Sequence, residues 1–140
     1  MKLIAHRGNI EGPNPEFEND PQYILKAIDM GYDVEVDIWG HKQLWLGHDN
    51  PQYPCPLSFL MQNKNKLWIH CKNDTALFTL IHFESLNIFF HQEDDRTLTS
   101  KGYIWTYPKK SVCEKSVLVL EDTRNYVGKN CFGLCGDYLV

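Results

Sequence analysis

A chain of 140 residues with 43% hydrophobic residues can bury a core, and residues 1–140 are predicted to form a single domain. The formal net charge of −4 argues against a nucleic-acid partner, and no apolar run is long enough for a membrane span. The five cysteines are odd in number and lack the spacing of a disulfide framework or a zinc ribbon, which indicates reduced thiols and a cytoplasmic location.

The N-terminal segment predicts a strand, a loop and a helix. Lys2–His6 has the pattern of a short buried strand, so a secretory leader is not expected. In His6-Arg7-Gly8 the glycine lets the chain turn away and leaves polar side chains at the end of the strand. Asp20-Pro21 is typical of a helix start and Gly31 of its end.

The next segment, Gly31–Trp39, predicts a strand with one acidic face. Apolar and acidic residues alternate along it, Val34, Val36 and Ile38 against Asp33, Glu35 and Asp37. Because Asp is depleted in strands and like charges repel, a cation is expected among these carboxylates. Glu35 and Asp37 share one side, about 7 Å apart along the backbone, so both can reach one divalent ion.

Four short motifs follow one another within the first 49 residues: Ile4-Ala5-His6-Arg7-Gly8, Glu18-Asn19, Glu35-x-Asp37 and Gly47-His48-Asp49. The last of these follows a predicted return strand, Gln43–Gly47. In order and spacing the four resemble the N-terminal half of the glycerophosphodiester phosphodiesterase family. They are also similar to the motifs of sphingomyelinase D toxins and, more distantly, of phosphatidylinositol-specific phospholipases C.

The second half of the chain continues this resemblance on several predicted strands. Lys66–Lys72 contains His70-x-Lys72, where the family has an acid two residues before the lysine. Trp105-Thr106 is similar to a pair late in the family's barrel, and Asp137 matches the acid of its final strand. The remaining elements are a helical turn over Pro56–Gln62, a helix capped by Asp74, and strands over Asn87–His91, Gly102–Tyr107, Ser116–Glu121 and Phe132–Tyr138.

The fold that the resemblance implies is a TIM-barrel-like α/β domain. A regular barrel of this kind takes about 250 residues. We therefore predict a reduced version with seven or eight strands and few outer helices. Since large exposed apolar patches are rare on monomers, short loops, a partner copy or both are expected to cover the strands, and a homo-oligomer is a candidate state.

The activity that the resemblance implies is metal-dependent cleavage of a small glycerophosphodiester to an alcohol and glycerol phosphate. The implied roles are His6 and His48 as acid/base pair, Arg7 and Lys72 as phosphate contacts, and Glu35 and Asp37 as metal ligands. His70 in place of the third acid and Glu18 are further candidate ligands. His91 and Trp105, each at the end of a predicted strand, are candidates for the substrate pocket.

The metal and the chemistry leave alternatives open. Mg²⁺ is the ion that the family implies, with Ca²⁺, Mn²⁺ or Zn²⁺ as alternatives. An imidazole from His70 shifts the preference from hard ions towards Mn²⁺, Zn²⁺ or Fe²⁺. The replaced acid and the missing helices also motivate a catalytically silent module that binds phosphoglycerol or a sugar phosphate. A lyase or transferase that forms a cyclic phosphate is the third hypothesis.

Overall fold

The computed structural model describes all 140 residues and contains one ten-stranded sheet and three short helices. The strands are β1 (Lys2–His6), β2 (Asp33–His41), β3 (Gln43–Leu46), β4 (Tyr53–Pro54), β5 (Leu67–Cys71), β6 (Ile88–Phe89), β7 (Arg96–Leu98), β8 (Ile104–Thr106), β9 (Ser116–Val119) and β10 (Gly133–Gly136). The helices are α1 (Pro21–Asp29), α2 (Leu57–Gln62) and α3 (Asp74–Leu80). None of the three has the length and apolar character of a membrane-crossing helix.

The sheet mixes parallel and antiparallel strands. Its hydrogen-bonded path runs β4-β3-β2-β1-β10-β9-β8-β7, and β5 pairs with β2 and with β6 outside this path. The β2–β3, β3–β4 and β7–β8 pairs are antiparallel, and the others are parallel. The sheet curls, so that side chains of distant strands meet on its inner face: Ile4, Trp68, Phe89, Trp105, Val117 and Cys135.

The predicted TIM-barrel-like fold is wrong. The structure is a curled half-barrel of mixed strands and is only 16% helical, whereas a TIM barrel is a closed ring of parallel strands, each followed by a helix. No strand pairing joins β6 to β8. The segments 107–115 and 120–132, which connect β8 to β9 and β9 to β10, contain no helix. The physical reason is that these segments lack the helical spacing of apolar residues that would cover a strand.

Loops cover the outer face of β9 and β10 where helices are missing. Leu118 and Leu134 are buried there together with Cys131 of the connecting segment. Val112 and Tyr126, both from loops, pack against this cluster. The loops thus provide apolar cover for these two strands.

The helices cover the outer face of β2 and position its acidic face inwards. Val34, Val36 and Ile38 are fully buried in the main core. The helices contribute Ile24 and Ala27 of α1, Leu60 of α2, and Ala76 and Leu80 of α3. Fully burying a valine, leucine or isoleucine side chain stabilises the fold by about 1.5 to 3 kcal/mol. Because strand residues alternate, this burial forces Asp33, Glu35 and Asp37 onto the inner face of the sheet.

Asn73 joins α3 to β2, and it caps this helix instead of the predicted Asp74. Its Oδ1 accepts hydrogen bonds from the backbone N–H groups of Ala76 and Gly40, both at 3.0 Å, and its Nδ2 donates to the Gly40 carbonyl at 2.9 Å. Asn73→Ala is expected to lower the free energy of unfolding by about 2 to 3 kcal/mol, because a cap and two further hydrogen bonds are lost. Urea unfolding measures the change.

Asp20 provides the matched control for this prediction. Its side chain caps α1 by accepting from the Gln22 N–H at 2.8 Å and forms no bond to another element. Asp20→Ala should therefore cost about 1 kcal/mol. Equal losses in the two variants would contradict the role given to the Asn73–Gly40 contacts.

Candidate active site

One cleft of about 440 Å³ collects nearly all the predicted site residues. They lie on strands or in the loops that follow them: His6, Arg7, Glu35, Asp37, His48, His70, Lys72, His91 and Trp105. Gln92, Tyr107 and Val119 complete the lining. Of the residues predicted for the site, only Glu18 lies outside this cleft.

Glu35, Asp37 and His70 form a cluster that could hold a metal ion. The parallel register of β2 and β5 places Asp37 opposite His70. One ligand atom from each of the three residues lies within 4.8 Å of the other two. Glu35 is only 3% exposed, yet its Oε2 has no hydrogen-bond partner. Since buried polar atoms normally have partners, an unpaired oxygen beside two further ligand groups fits a divalent cation.

Asp37 is surrounded by donors and positive charge. Asn19, fully buried, donates from Nδ2 to Asp37 Oδ2 at 2.9 Å and accepts the Asp37 backbone N–H at 3.0 Å. Arg7 Nε and Lys72 Nζ lie 3.3 and 3.9 Å from the carboxylate, and His70 Nδ1 lies 3.2 Å from it. Burial alone would raise the pKa of Asp37, but the hydrogen bond and charge of His70, with the charge of Arg7, hold this pKa well below its usual range.

The surroundings of Glu35 raise its pKa instead of lowering it. Burial and the charge of Asp37 raise the pKa of Glu35 to about 7. His6 Nε2, at 3.7 Å from Glu35 Oε2, offsets only part of this. Two neighbouring carboxyl groups therefore differ in charge near neutral pH, because the basic side chains surround Asp37.

The imidazole of His6 is held by an acid from the last strand. Its Nδ1 donates to Asp137 Oδ1 at 2.9 Å, and Asn9 Nδ2 donates to the same oxygen at 2.8 Å. This contact leaves Nε2 facing Glu35. Burial disfavours the charged ring, but the hydrogen bond to Asp137 and the charge of Glu35 outweigh it and raise the pKa of His6. The sequence indicated Asp137 only as the acid that matches the final strand of the resembled family, and no sequence signal indicated Asn9.

The second predicted histidine, His48, lies at the rim of the cleft. Its side chain is 41% exposed, and its Nδ1 lies 2.8 Å from Asp49 Oδ1. Burial and the charge of Arg7 lower the pKa of His48. The preceding Gly47 is fixed by two hydrogen bonds, from its N–H to the Asp37 carbonyl at 3.1 Å and from Trp39 Nε1 to its carbonyl at 2.7 Å. A Cβ at Gly47 would overlap the Asn50 carbonyl oxygen, so this turn requires glycine.

Glu18 lines a neighbouring groove and is occupied by other contacts. Arg7 Nη1 donates to Glu18 Oε1 at 3.0 Å, and the Asn14 N–H donates to Oε2 at 2.8 Å. Arg7 itself has a positive φ of 57° and accepts the Asn19 N–H at 3.1 Å. Glu18 thus orients the guanidinium that faces Asp37, and the structure does not bring it into the three-residue ligand cluster.

Aromatic rings form one wall of the cleft. His91 stacks on His70 with ring centroids 4.7 Å apart, and Tyr107 meets His91 edge-on at 4.9 Å. Behind them Phe89 stacks on Trp105 at 4.6 Å. Burial and the charge of His70 lower the pKa of His91 to about 4. Tyr107 was not predicted for the site, although it lies two residues after Trp105, a spacing that places both on one face of the predicted strand Gly102–Tyr107.

Asp33, the third acid of the inner face, belongs to a different cluster. Trp68 Nε1 donates to its Oδ2 at 3.0 Å, and the amines of Lys2 and Lys66 lie 3.6 and 3.7 Å from its Oδ1. The acidic face of β2 is thus divided. Two lysines neutralise Asp33, and Glu35 and Asp37 remain for the cleft.

Comparison with known proteins provides no family for this chain. No protein-family model matches it. No curated protein and no solved structure matches it either. The function is therefore inferred from the geometry of the cleft together with the sequence motifs.

Proposed function

We propose that this protein is a metal-dependent phosphodiesterase that cleaves a glycerophosphodiester-like substrate to an alcohol and glycerol phosphate. One observation carries the proposal. A single cleft contains a three-residue ligand cluster, two cationic side chains and two histidines. These are the groups that cleavage of a phosphodiester requires.

The anion site is formed by the charges around Asp37. A divalent ion held by Glu35, Asp37 and His70 would neutralise the phosphate oxygens when bound. Arg7 and Lys72, less than a fifth exposed, lie on the Asp37 side of this cluster. Their guanidinium and ammonium groups bind the remaining phosphate oxygens through charge-assisted hydrogen bonds. An ester without a negatively charged phosphate would gain no binding energy from these cationic groups.

The two histidines perform the proton transfers. One removes a proton from the attacking water as its oxygen bonds to phosphorus, and the other protonates the alkoxide that leaves when the P–O bond breaks. His6 is held by Asp137 so that Nε2 points to Glu35 and the ligand cluster. His48 approaches from the exposed rim of the same cleft. The two imidazoles thus come from the end of β1 and from the loop after β3, and they lie at different depths in the cleft.

The four N-terminal motifs support the same activity by resemblance to glycerophosphodiester phosphodiesterases, although the half-barrel departs from the fold that this resemblance implied.

We also infer a cytoplasmic location, supported by five cysteines that form no disulfide. A homo-oligomer stays a prediction.

A catalytically silent phosphate-binding module is the second candidate. The observation that favours it is that Arg7 and Lys72 already lie beside Asp37 and offset its charge without a metal ion. A protein of this kind would bind glycerol phosphate with the metal removed and would show no turnover.

The test is turnover of glycerophosphocholine, glycerophosphoethanolamine and a bis(p-nitrophenyl) phosphodiester with Mg²⁺, Ca²⁺, Mn²⁺ or Zn²⁺. We expect activity that EDTA abolishes and that an added metal restores. Phosphorus NMR of the product separates hydrolysis from formation of a cyclic phosphate. Absence of turnover with every metal, together with binding of glycerol phosphate in EDTA, would establish the silent module instead.

A further inference from the structure

We propose that His70 makes this cleft selective for imidazole-binding transition-metal ions, Fe²⁺, Co²⁺ and Zn²⁺, over Mg²⁺ and Ca²⁺, and that Nδ1 is the ligating nitrogen. The inference rests on the proposed metal-dependent function and names the class of ion that this site takes. Its basis is the environment of one ring, described by its hydrogen bonds, its packing and its neighbouring carboxylates.

The hydrogen bonds of the ring distinguish its two nitrogens. His70 Nε2 lies 3.3 Å from the backbone carbonyl oxygen of His91. A carbonyl oxygen can only accept, so Nε2 carries a proton and is unsuited to bind a metal. Nδ1 lies 3.2 Å from Asp37 Oδ1 and 4.0 Å from Glu35 Oε1. An ion bound between these carboxylates would take the place of the hydrogen bond that Nδ1 donates to Asp37. A backbone carbonyl on the second ring nitrogen is the usual arrangement for a metal-binding histidine.

Packing fixes the plane of the ring. Phe89 and His91 both stack on His70, with centroids at 5.1 and 4.7 Å and interplanar angles of 5° and 17°. The side chain of His70 is only 14% exposed. The ring therefore cannot turn away from the carboxylates without breaking two stacking contacts. A ligand held in this way is preorganised for an ion between Glu35 and Asp37.

The donor set decides the class of ion. Mg²⁺ and Ca²⁺ prefer oxygen ligands, and replacing a carboxylate with an imidazole removes one oxygen ligand and one negative charge. Mn²⁺ favours oxygen ligands, whereas Fe²⁺, Co²⁺ and Zn²⁺ accept imidazole nitrogen readily. Two carboxylates and one imidazole, with room in the cleft for water or a phosphate oxygen, match these ions. Glu18 does not restore the third carboxylate, since Arg7 and Asn14 occupy it.

Direct metal binding to the metal-free 140-residue protein tests the inference without reference to activity. Titration calorimetry should show Zn²⁺ and Co²⁺ binding about tenfold or more tightly than Mg²⁺. Bound Co²⁺ should lack the near-ultraviolet thiolate band that a cysteine site would produce. In ¹⁵N NMR, Zn²⁺ should shift His70 Nδ1 strongly and leave Nε2 protonated.

Two variants complete the experiment. His70→Glu restores three carboxylates and should lower the Zn²⁺/Mg²⁺ affinity ratio by about tenfold or more. His41→Gln is the matched control, because His41 is exposed at the end of β2 and outside the cleft. The Zn²⁺/Mg²⁺ affinity ratio of this variant should equal that of the unmodified protein. Circular dichroism reports whether the variants fold, and the NMR shift of the unmodified protein decides the question if His70→Glu does not.

The outcomes separate this inference from the proposed function. Equal affinities for Zn²⁺ and Mg²⁺, or an Nδ1 signal that does not move, would overturn the inference, and phosphodiester turnover with Mg²⁺ would then leave the function standing. Selective binding of Zn²⁺ at Nδ1 without turnover of any diester would support the inference and contradict the enzyme. If no metal ion binds, the inference is overturned. Turnover of the diester in EDTA would then decide whether cleavage occurs without a metal ion.

Discussion

His6→Asn and His48→Asn are each expected to lower kcat/KM for glycerophosphocholine by about 10²- to 10⁴-fold, because each variant removes one of the two proton transfers. The two losses should differ with a p-nitrophenolate leaving group, which departs without a proton. The variant that lacks the general acid should recover most of its rate on the nitrophenyl diester, and the variant that lacks the general base should not. Steady-state kinetics on both substrates therefore assigns the two roles.

The control for this experiment is again His41→Gln, which removes an exposed histidine at the end of β2 and should retain full activity on both substrates. The Asp137 contact provides a further comparison. Asp137→Asn should reproduce part of the His6→Asn loss, since this carboxylate holds the Nδ1–H of His6. Full activity in both histidine variants would contradict the acid/base assignment.

Glu35→Gln and Asp37→Asn should change stability in opposite directions in the metal-free protein at pH 8. The pKa of Glu35 is raised in the folded state, so its favourable contribution is present below pH 4.5 and is lost as the pH rises towards 7. A shift from 4.5 to about 7 corresponds to on the order of 3 kcal/mol. Glu35→Gln avoids this loss, and urea unfolding in EDTA should show a more stable variant at pH 8 and similar stabilities below pH 4.5.

Asp37→Asn should instead lower the free energy of unfolding at pH 8 by about 3 kcal/mol or more, because it leaves Arg7 and Lys72 in the cleft without their buried counter-charge. The pKa of Asp37 is lowered, so its contribution is present above the unfolded-state value of 3.8 and disappears at lower pH. Asp94→Asn, in an exposed loop, should change stability by less than about 0.5 kcal/mol. Destabilisation by Glu35→Gln at pH 8 would contradict the charge difference between the two carboxyl groups.

Local sequence patterns predicted the elements that carry the site. The alternation in β2 placed Glu35 and Asp37 on one face because side chains of a strand alternate regardless of which strand pairs with it. His6, at the end of β1, and His48, after β3, were instead singled out by the resemblance of their motifs to a known family. The short strands β4 and β7 were missed, since two or three residues carry no readable period.

Long-range packing decided what the sequence pattern left open. His6 and Asp137 are 131 positions apart and meet only because β1 pairs with β10, a register that the pattern within either strand does not specify. The pattern within each strand also does not specify that Lys2 and Lys66 lie beside Asp33. Because these lysines pair with Asp33, this acid does not contribute to the expected cation site.

The sequence by itself determined which face of β2 is apolar and which is acidic, because these properties depend on side-chain type and a period of two. Only the tertiary structure decided that the sheet forms a curled half-barrel, that loops replace helices on β9 and β10, and that the His91 carbonyl and the Phe89 ring hold His70 beside two carboxylates. These features depend on how distant segments pack, and packing is a property of the whole chain.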